Sequence, residues 1–357
     1  MFFRLQAIAD HPCCNMQDVV EAFFRNSIDQ PHFSVNLFPE WFHSTLEDRR
    51  CTLNVAFRRV HELLYADGMN EGCRRQIYVQ FESTNRIQEL CDGTLPVPIN
   101  VIVWESDLGK SIDTIMSRLY ESLDLVIFRR GDEIVNPTKE LYSEFIKLNK
   151  YVCPFCGLGR YKNVHGSRRE DFDHYLHKSD YPLAAANMRN LVPSCGICNQ
   201  DYKGFKDVLA DGTAFYPYAD IPEVSIHVTC VHFPSPANFN DKGQWSVEVA
   251  LAIPDATAEP KLQAWDRVYE IKKRLKDEVR EFCEEWMNEV THKCTGLIDP
   301  GKYVELISSA REEASDAAVR RMEPGQLIRR AFYDFALNNV TRPFFESFRV
   351  SKNATIN

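Results

Sequence analysis

The chain has 357 residues, of which 44% are hydrophobic and 26% charged, an ordinary globular composition with room for two or three domains and a sizeable core. Its net charge of −9 runs against what a nucleic-acid enzyme usually carries, and no apolar run reaches the roughly 18 residues of a membrane span. The acid and imidazole of Asp10 and His11 come too early for a signal peptide, and most of the 12 cysteines are scattered, so a reducing cytoplasm with free thiols is expected.

Residues 1–149 read as a mixed α/β domain with no assignable role. Apolar residues at helical spacing between Leu46 and Tyr65 (Leu53, Val55, Ala56, Val60, Leu63, Leu64) predict a helix. Ile77-Tyr78-Val79 and the run Ile99 to Trp104 predict strands, and Leu123 to Phe128 a further short buried one. Ser111 to Leu123 predicts a helix, and Pro137 opens another that runs to about Leu148. The alternation points to a small α/β unit, and it contains no phosphate loop or dinucleotide fingerprint.

Residues 150–210 carry the chemistry. Cys153-Pro154-Phe155-Cys156 and Cys195-Gly196-Ile197-Cys198 are two Cys-x-x-Cys knuckles that can supply four thiolates to one tetrahedral zinc. The 38 residues between them exceed the usual zinc-ribbon gap and imply a structured insert. Such a closed site has no open position, so its metal is expected to be structural. The insert contains Asp173-His174-Tyr175 and Asn190-Leu191, and the second knuckle runs straight into Asn199 and, four residues on, Lys203.

Residues 211–357 read as a hairpin followed by helices. Val224–Phe233 and Trp245–Ile253 alternate in apolar character around a turn rich in Pro, Asn and Gly. Lys261 to Val290 predicts one long amphipathic helix, with two more over Pro300–Arg321 and Pro324–Asn339.

The two knuckles, the Asp-His pair, Asn190-Leu191 and the Cys-x-x-Cys-Asn-x-x-x-Lys ending, in that order, resemble the HNH or ββα-metal nuclease family over about residues 150–207. Two positions depart from the common pattern: Asn199 stands where many members have histidine, and His177 where many have proline. The resemblance implies an α+β multidomain fold. In it, a zinc-stabilised ββα-metal core lies between the N-terminal α/β domain and the C-terminal hairpin and helices. It also implies a second, catalytic Mg2+ or Mn2+ on Asp173 and Asn199, whose oxygens suit hard cations. His174 takes the part of general base, and Asn190 orients the histidine or holds its loop. Lys203 and Lys178 are candidate phosphate contacts, with Arg168 and Arg169 as weaker ones, while His165 and His177 are candidate extra ligands or bases.

The expected activity is endonucleolytic hydrolysis of DNA, with RNA not excluded. The alternative is a zinc-ribbon nucleic-acid or protein-binding module without catalysis. Charge is unevenly spread. Residues 1–150 carry 16 basic and 22 acidic side chains, residues 151–210 carry 8 and 6, residues 211–259 carry 1 and 7, and residues 260–357 carry 17 and 16. A core at only +2 between acidic flanks points to a protein partner for tight DNA capture, and the family resemblance implies the effector of a bacterial anti-phage defence or restriction system working with an ATPase or sensor.

Overall fold

The computed structural model describes residues 1–48, 52–122, 136–164, 169–235, 238, 240–292, 300–339, 341, 344, 347 and 348. Its first part is a bundle of seven helices: α1 (Met16–Asn26), α2 (His43–Glu47), α3 (Leu53–Leu64), α4 (Glu71–Asn85), α5 (Ile87–Asp92), α6 (Asp107–Glu121) and α7 (Pro137–Asn149). Val19, Val20, Phe23 and Phe24 on α1 and Leu53, Ala56, Phe57, Val60 and Leu64 on α3 are buried at helical spacing, which is why these segments coil and pack. Phe57 and Phe38 lie 4.9 and 5.5 Å, centroid to centroid, from Phe23, an aromatic knot that seats both helices. Side-chain caps set several starts: Asn70 accepts from Cys73 N–H, Ser106 from Gly109 N–H, and Asn136 from Lys139 N–H ahead of Pro137.

The expected strands of the N-terminal part are not strands, and among its described residues there is no sheet. Ile77-Tyr78-Val79 lies inside α4. Ile77 and Phe81, one turn apart, are buried in the core, while Val79 is 53% exposed, so packing against α1 overrides the local β preference of three residues. Residues 99–104 form no strand. The amide of Gln80 takes their polar groups instead, its Oε1 accepting from Val101 N–H and its Nε2 donating to Asn100 Oδ1. The strand expected at Leu123–Phe128 lies outside the described residues.

Two short strands follow the first knuckle and precede the second: β1 (Phe172–His174) and β2 (Leu191–Pro193), antiparallel, with Asp173 opposite Val192 and His174 opposite Leu191. The chain then enters a π-helical turn over Ile197–Lys203. The predicted hairpin is present as β3 (Val224–His232) and β4 (Gln244–Leu251), with Trp245, Val247, Val249 and Leu251 turned inward onto α9 and α12.

The predicted long helix is two: α8 (Glu259–Tyr269) and α9 (Ile271–His292). They break at Glu270, whose φ of +51° is left-handed, and the carboxylate of Asp266 accepts from Lys272 N–H to start the second helix. The helix predicted from Pro300 likewise divides into α10 (Pro300–Ser315) and α11 (Ala317–Met322), because Asp316 caps Ala318 and Val319 N–H. Helix α12 spans Gln326–Asn338.

One continuous set of buried apolar residues runs from Met1 to Phe348 through all three parts. The chain start threads the first knuckle: Phe2 N–H donates to Pro154 O at 2.9 Å, and the Phe2 ring meets Trp265 edge-on at 4.9 Å. Trp265 in turn donates its indole N–H to Phe155 O inside the knuckle, at 2.9 Å. Replacing Trp265 by Phe leaves that buried carbonyl unpaired. The expected loss is about 1–3 kcal/mol of unfolding free energy, read from chemical denaturation.

Candidate functional site

The two knuckles meet. Cys153, Cys156, Cys195 and Cys198 are all buried, and their sulfurs lie within 4.8 Å of one another, close enough to bind one metal ion such as zinc. Cys156 and Cys195 Sγ are 3.9 Å apart, near the ~3.8 Å edge of a tetrahedron built on Zn–S bonds of about 2.3 Å. The first knuckle is a tight turn in which Leu158 and Gly159 N–H both point at Cys156 Sγ, at 3.4 and 3.2 Å. A side chain at Gly159 would collide with Cys195: its Cβ would fall 2.4 Å from that sulfur.

Burial pushes the Cys153 and Cys198 thiols up, while hydrogen bonds from the other three sulfurs and the charge of Arg274 pull Cys156 down. Arg274, on the first turn of α9, places its guanidinium 3.3 Å from Cys198 Sγ and over the Tyr202 ring at 4.2 Å. Burial works against the Arg274 charge, but the three nearby cysteine sulfurs more than offset it. A four-thiolate metal site carries excess negative charge, and Arg274 is placed to neutralise part of it. The sequence holds no local sign of this, since Arg274 lies 76 residues beyond Cys198 and reaches it only through the packing of α9.

The Asp-His pair sits on β1. His174 is half-buried, with Nε2 3.1 Å from Ala185 O. Burial, reinforced by the positive charges of Lys178, Lys203 and His177, lowers its pKa to about 4 even though the bond to Ala185 opposes this. The ring is therefore neutral at pH 7. A carbonyl only accepts, so Nε2 carries the proton and Nδ1 keeps its lone pair. Tyr120, which the sequence reading did not single out, packs its ring 5.3 Å from the imidazole.

Asn190 is fully buried and clamps the backbone beyond the histidine. Its Oδ1 accepts from Leu176 N–H at 2.7 Å, and its Nδ2 donates to Leu176 O and Ala184 O at 3.0 and 3.2 Å. It thereby ties the strand that bears His174 to the loop whose Ala185 carbonyl holds the imidazole.

Asp173 is 8% exposed and paired with Lys203, whose Nζ donates to Asp173 Oδ1 at 3.0 Å and to His174 O at 2.8 Å. Burial raises the Asp173 pKa to about 6, with Lys203 pulling it down. Lys203, expected at a phosphate, is instead buried at 1% exposure. The π-helical turn that carries it opens with Ile197 and Cys198 and also carries the half-buried Asn199. Lys178 is exposed, and its charge is felt at His174. His177 is half-buried with its ring edge-on to the exposed Phe205 at 5.1 Å. Arg169 is taken up locally, donating to Glu170 O and lying over Phe172. His165 and Arg168 lie outside the described residues.

A cavity of about 690 Å3 opens elsewhere, between α1, α4 and the loop before β2. It is lined by Phe172 and Leu191 but not by Asp173, His174 or Asn199.

Among curated proteins the chain is similar to the protein ea31 of Escherichia phage lambda, 34% identical over 86 residues, which is 24% of this chain and 26% of that protein. The match thus spans about a quarter of the relative's length. No family model matches the chain. No solved structure matches it. Among the described residues no helix is long and apolar enough to cross a membrane.

Placing a methyl group at Gly159 tests the cysteine cluster directly. Gly159→Ala drives Cβ into Cys195 Sγ, and the expected outcome is metal content well below that of the parent protein, measured by elemental analysis of the purified chain.

Proposed function

We propose that this protein is an HNH-type endonuclease that hydrolyses phosphodiester bonds in DNA, with a structural zinc on Cys153, Cys156, Cys195 and Cys198. The observation that carries the reading is the state of His174: a neutral imidazole, fixed through Nε2 to Ala185 O, with Nδ1 free to accept a proton beside the acid Asp173. The order of the pieces supports it as well. A short antiparallel pair bearing Asp173 and His174 leads through a cysteine knuckle into a helical turn bearing Asn199, the sequence of parts in a ββα-metal core.

The residues fit a hard cation, since an ammonium already rests on Asp173 Oδ1 and the His174 carbonyl. A divalent metal held by Asp173 and Asn199 would polarise the scissile phosphate and stabilise the leaving oxygen. The chain's own residues do the rest. His174 Nδ1 takes the proton of the attacking water. The bond from Nε2 to Ala185 O keeps the ring aligned as it becomes charged, and Asn190 holds the loop that provides that carbonyl. Lys178, exposed and close enough to influence His174, draws the phosphate backbone to this face.

The biological setting we infer is a bacterial defence or restriction system in which a partner such as an ATPase or sensor delivers or licenses the nuclease. The acidic flanks supply the reason: with only +2 over residues 151–210, phosphate neutralisation by this chain alone is weak. One observation favours the competing view of a binding module without catalysis, namely that Lys203 occupies Asp173.

His174→Ala is expected to lower plasmid cleavage in Mg2+ or Mn2+ by about a hundred- to ten-thousand-fold, the usual contribution of a general base. Zinc content and thermal midpoint should stay unchanged. Undiminished cleavage by this variant removes His174 from the mechanism. On the metal side, the parent chain is expected to carry one zinc, and Cys195→Ser to yield insoluble or unfolded protein, scored by soluble yield and elemental analysis.

A further inference from the structure

Lys203 is the least expected side chain in the molecule. A lysine is almost never fully buried unless it is paired, yet this one is 1% exposed at the end of a helical turn, with two oxygens on its ammonium. Those acceptors are a carboxylate oxygen and a backbone carbonyl, the donor types that also hold hard divalent cations. Both belong to the Asp-His pair itself.

We propose that Lys203 is a built-in cation that holds the metal seat in order while the protein is metal-free and leaves Asp173 when a divalent metal binds. The inference rests on the endonuclease reading and deepens it.

Charge counting at the seat favours exchange over coexistence. In the metal-free protein, one carboxylate and one ammonium sum to zero. A dication on Asp173 with Lys203 still in place leaves a buried +2, which a single phosphate group cannot cancel. With Lys203 gone, the acid and the dication leave +1, and the phosphate of the substrate brings the site to neutrality. Burial makes the difference matter, because charges with the same sign repel far more strongly away from water.

The backbone permits the movement. Lys203 is the last residue of a π-helical turn, a local geometry common at functional sites. Gly204 follows at φ +47°, where a glycine is favoured and a turn can reopen at little cost. Phe205 beyond it is 85% exposed, its ring resting edge-on against the half-buried His177 rather than in the core. Nζ also bonds the carbonyl of His174, so its departure frees an oxygen next to the general base. In this sense Lys203 is a positioning residue: it keeps Asp173 and the His174 backbone aligned until the cation they await arrives.

The test uses the full zinc-loaded chain with Mn2+ alone, without nucleic acid. Mn2+ binding is read by electron paramagnetic resonance. In parallel, lysines are acetylated with acetic anhydride, and the peptide containing Lys203 is quantified by mass spectrometry with and without Mn2+. The expected result is that Lys203 is protected in the metal-free protein and becomes acetylated as Mn2+ binds, while zinc content is unchanged. Lys203→Met should bind Mn2+ about ten-fold tighter than the parent, within the range typical of coupled sites. The labelling experiment needs no variant, so it decides the matter even where Lys203→Met fails to fold. Mn2+ binding with Lys203 still protected, or equal or weaker binding by a folded Lys203→Met protein, overturns the exchange and leaves the metal site standing. No Mn2+ uptake by either protein overturns the exchange and the catalytic-metal reading together.

Discussion

The convergence of four sulfurs at one point is the constraint on which the rest of the structure depends. It joins residues 153–156 to residues 195–198 and so closes a loop in which the only regular strands among the described residues, β1 and β2, are three residues long. Strands that short cannot hold a sheet by themselves. What fixes Asp173 and His174 in space is that both ends of their segment are pinned. The chain start, Trp265 of α8 and Arg274 of α9 then pack against the pin from outside. The N-terminal bundle and the C-terminal helices thereby serve as the walls of a small core that lacks one of its own.

From that frame the electrostatics of the site follow. Burying His174 keeps it neutral, and burying Asp173 would leave a costly unpaired charge, so the fold provides Lys203. The same arrangement repeats at the cysteines, where burial favours the thiol and Arg274 restores the balance toward the thiolate. In both places a cationic side chain from a neighbouring helical element offsets anionic character that the core would not otherwise tolerate. The two devices differ in reversibility. Arg274 is locked under Tyr202, whereas Lys203 sits beside a glycine at the end of a π-helical turn.

Several parts were legible in the sequence because their signals are local. Cys-x-x-Cys spacing, the helix opened by Pro137, and the alternation of apolar residues along β4 all depend on near neighbours. The failures are equally specific. Ile77-Tyr78-Val79 has strand-forming side chains but no strand to pair with, and the neighbouring α1 offers a helical groove instead. The long helix expected from Lys261 breaks at Glu270 although no proline or glycine marks the place. There the side chain of Asp266 takes the free N–H of Lys272, a preference that only the packed pair α8–α9 reveals.

The sequence by itself determined which residues could do chemistry: two pairs of thiols, an acid beside an imidazole, and amides that follow at set distances. It determined them because ligand type and spacing are properties of the chain. The tertiary structure alone decided how each is used. It turned Lys203 inward onto Asp173, brought Arg274 to the cysteines from 76 residues away, aimed the Ala185 carbonyl at His174, and left Lys178 outside. Those outcomes depend on burial and on partners distant in sequence. Burial sets the protonation state of a side chain, and the partner sets its orientation; neither quantity is a property of the residue or of its neighbours along the chain.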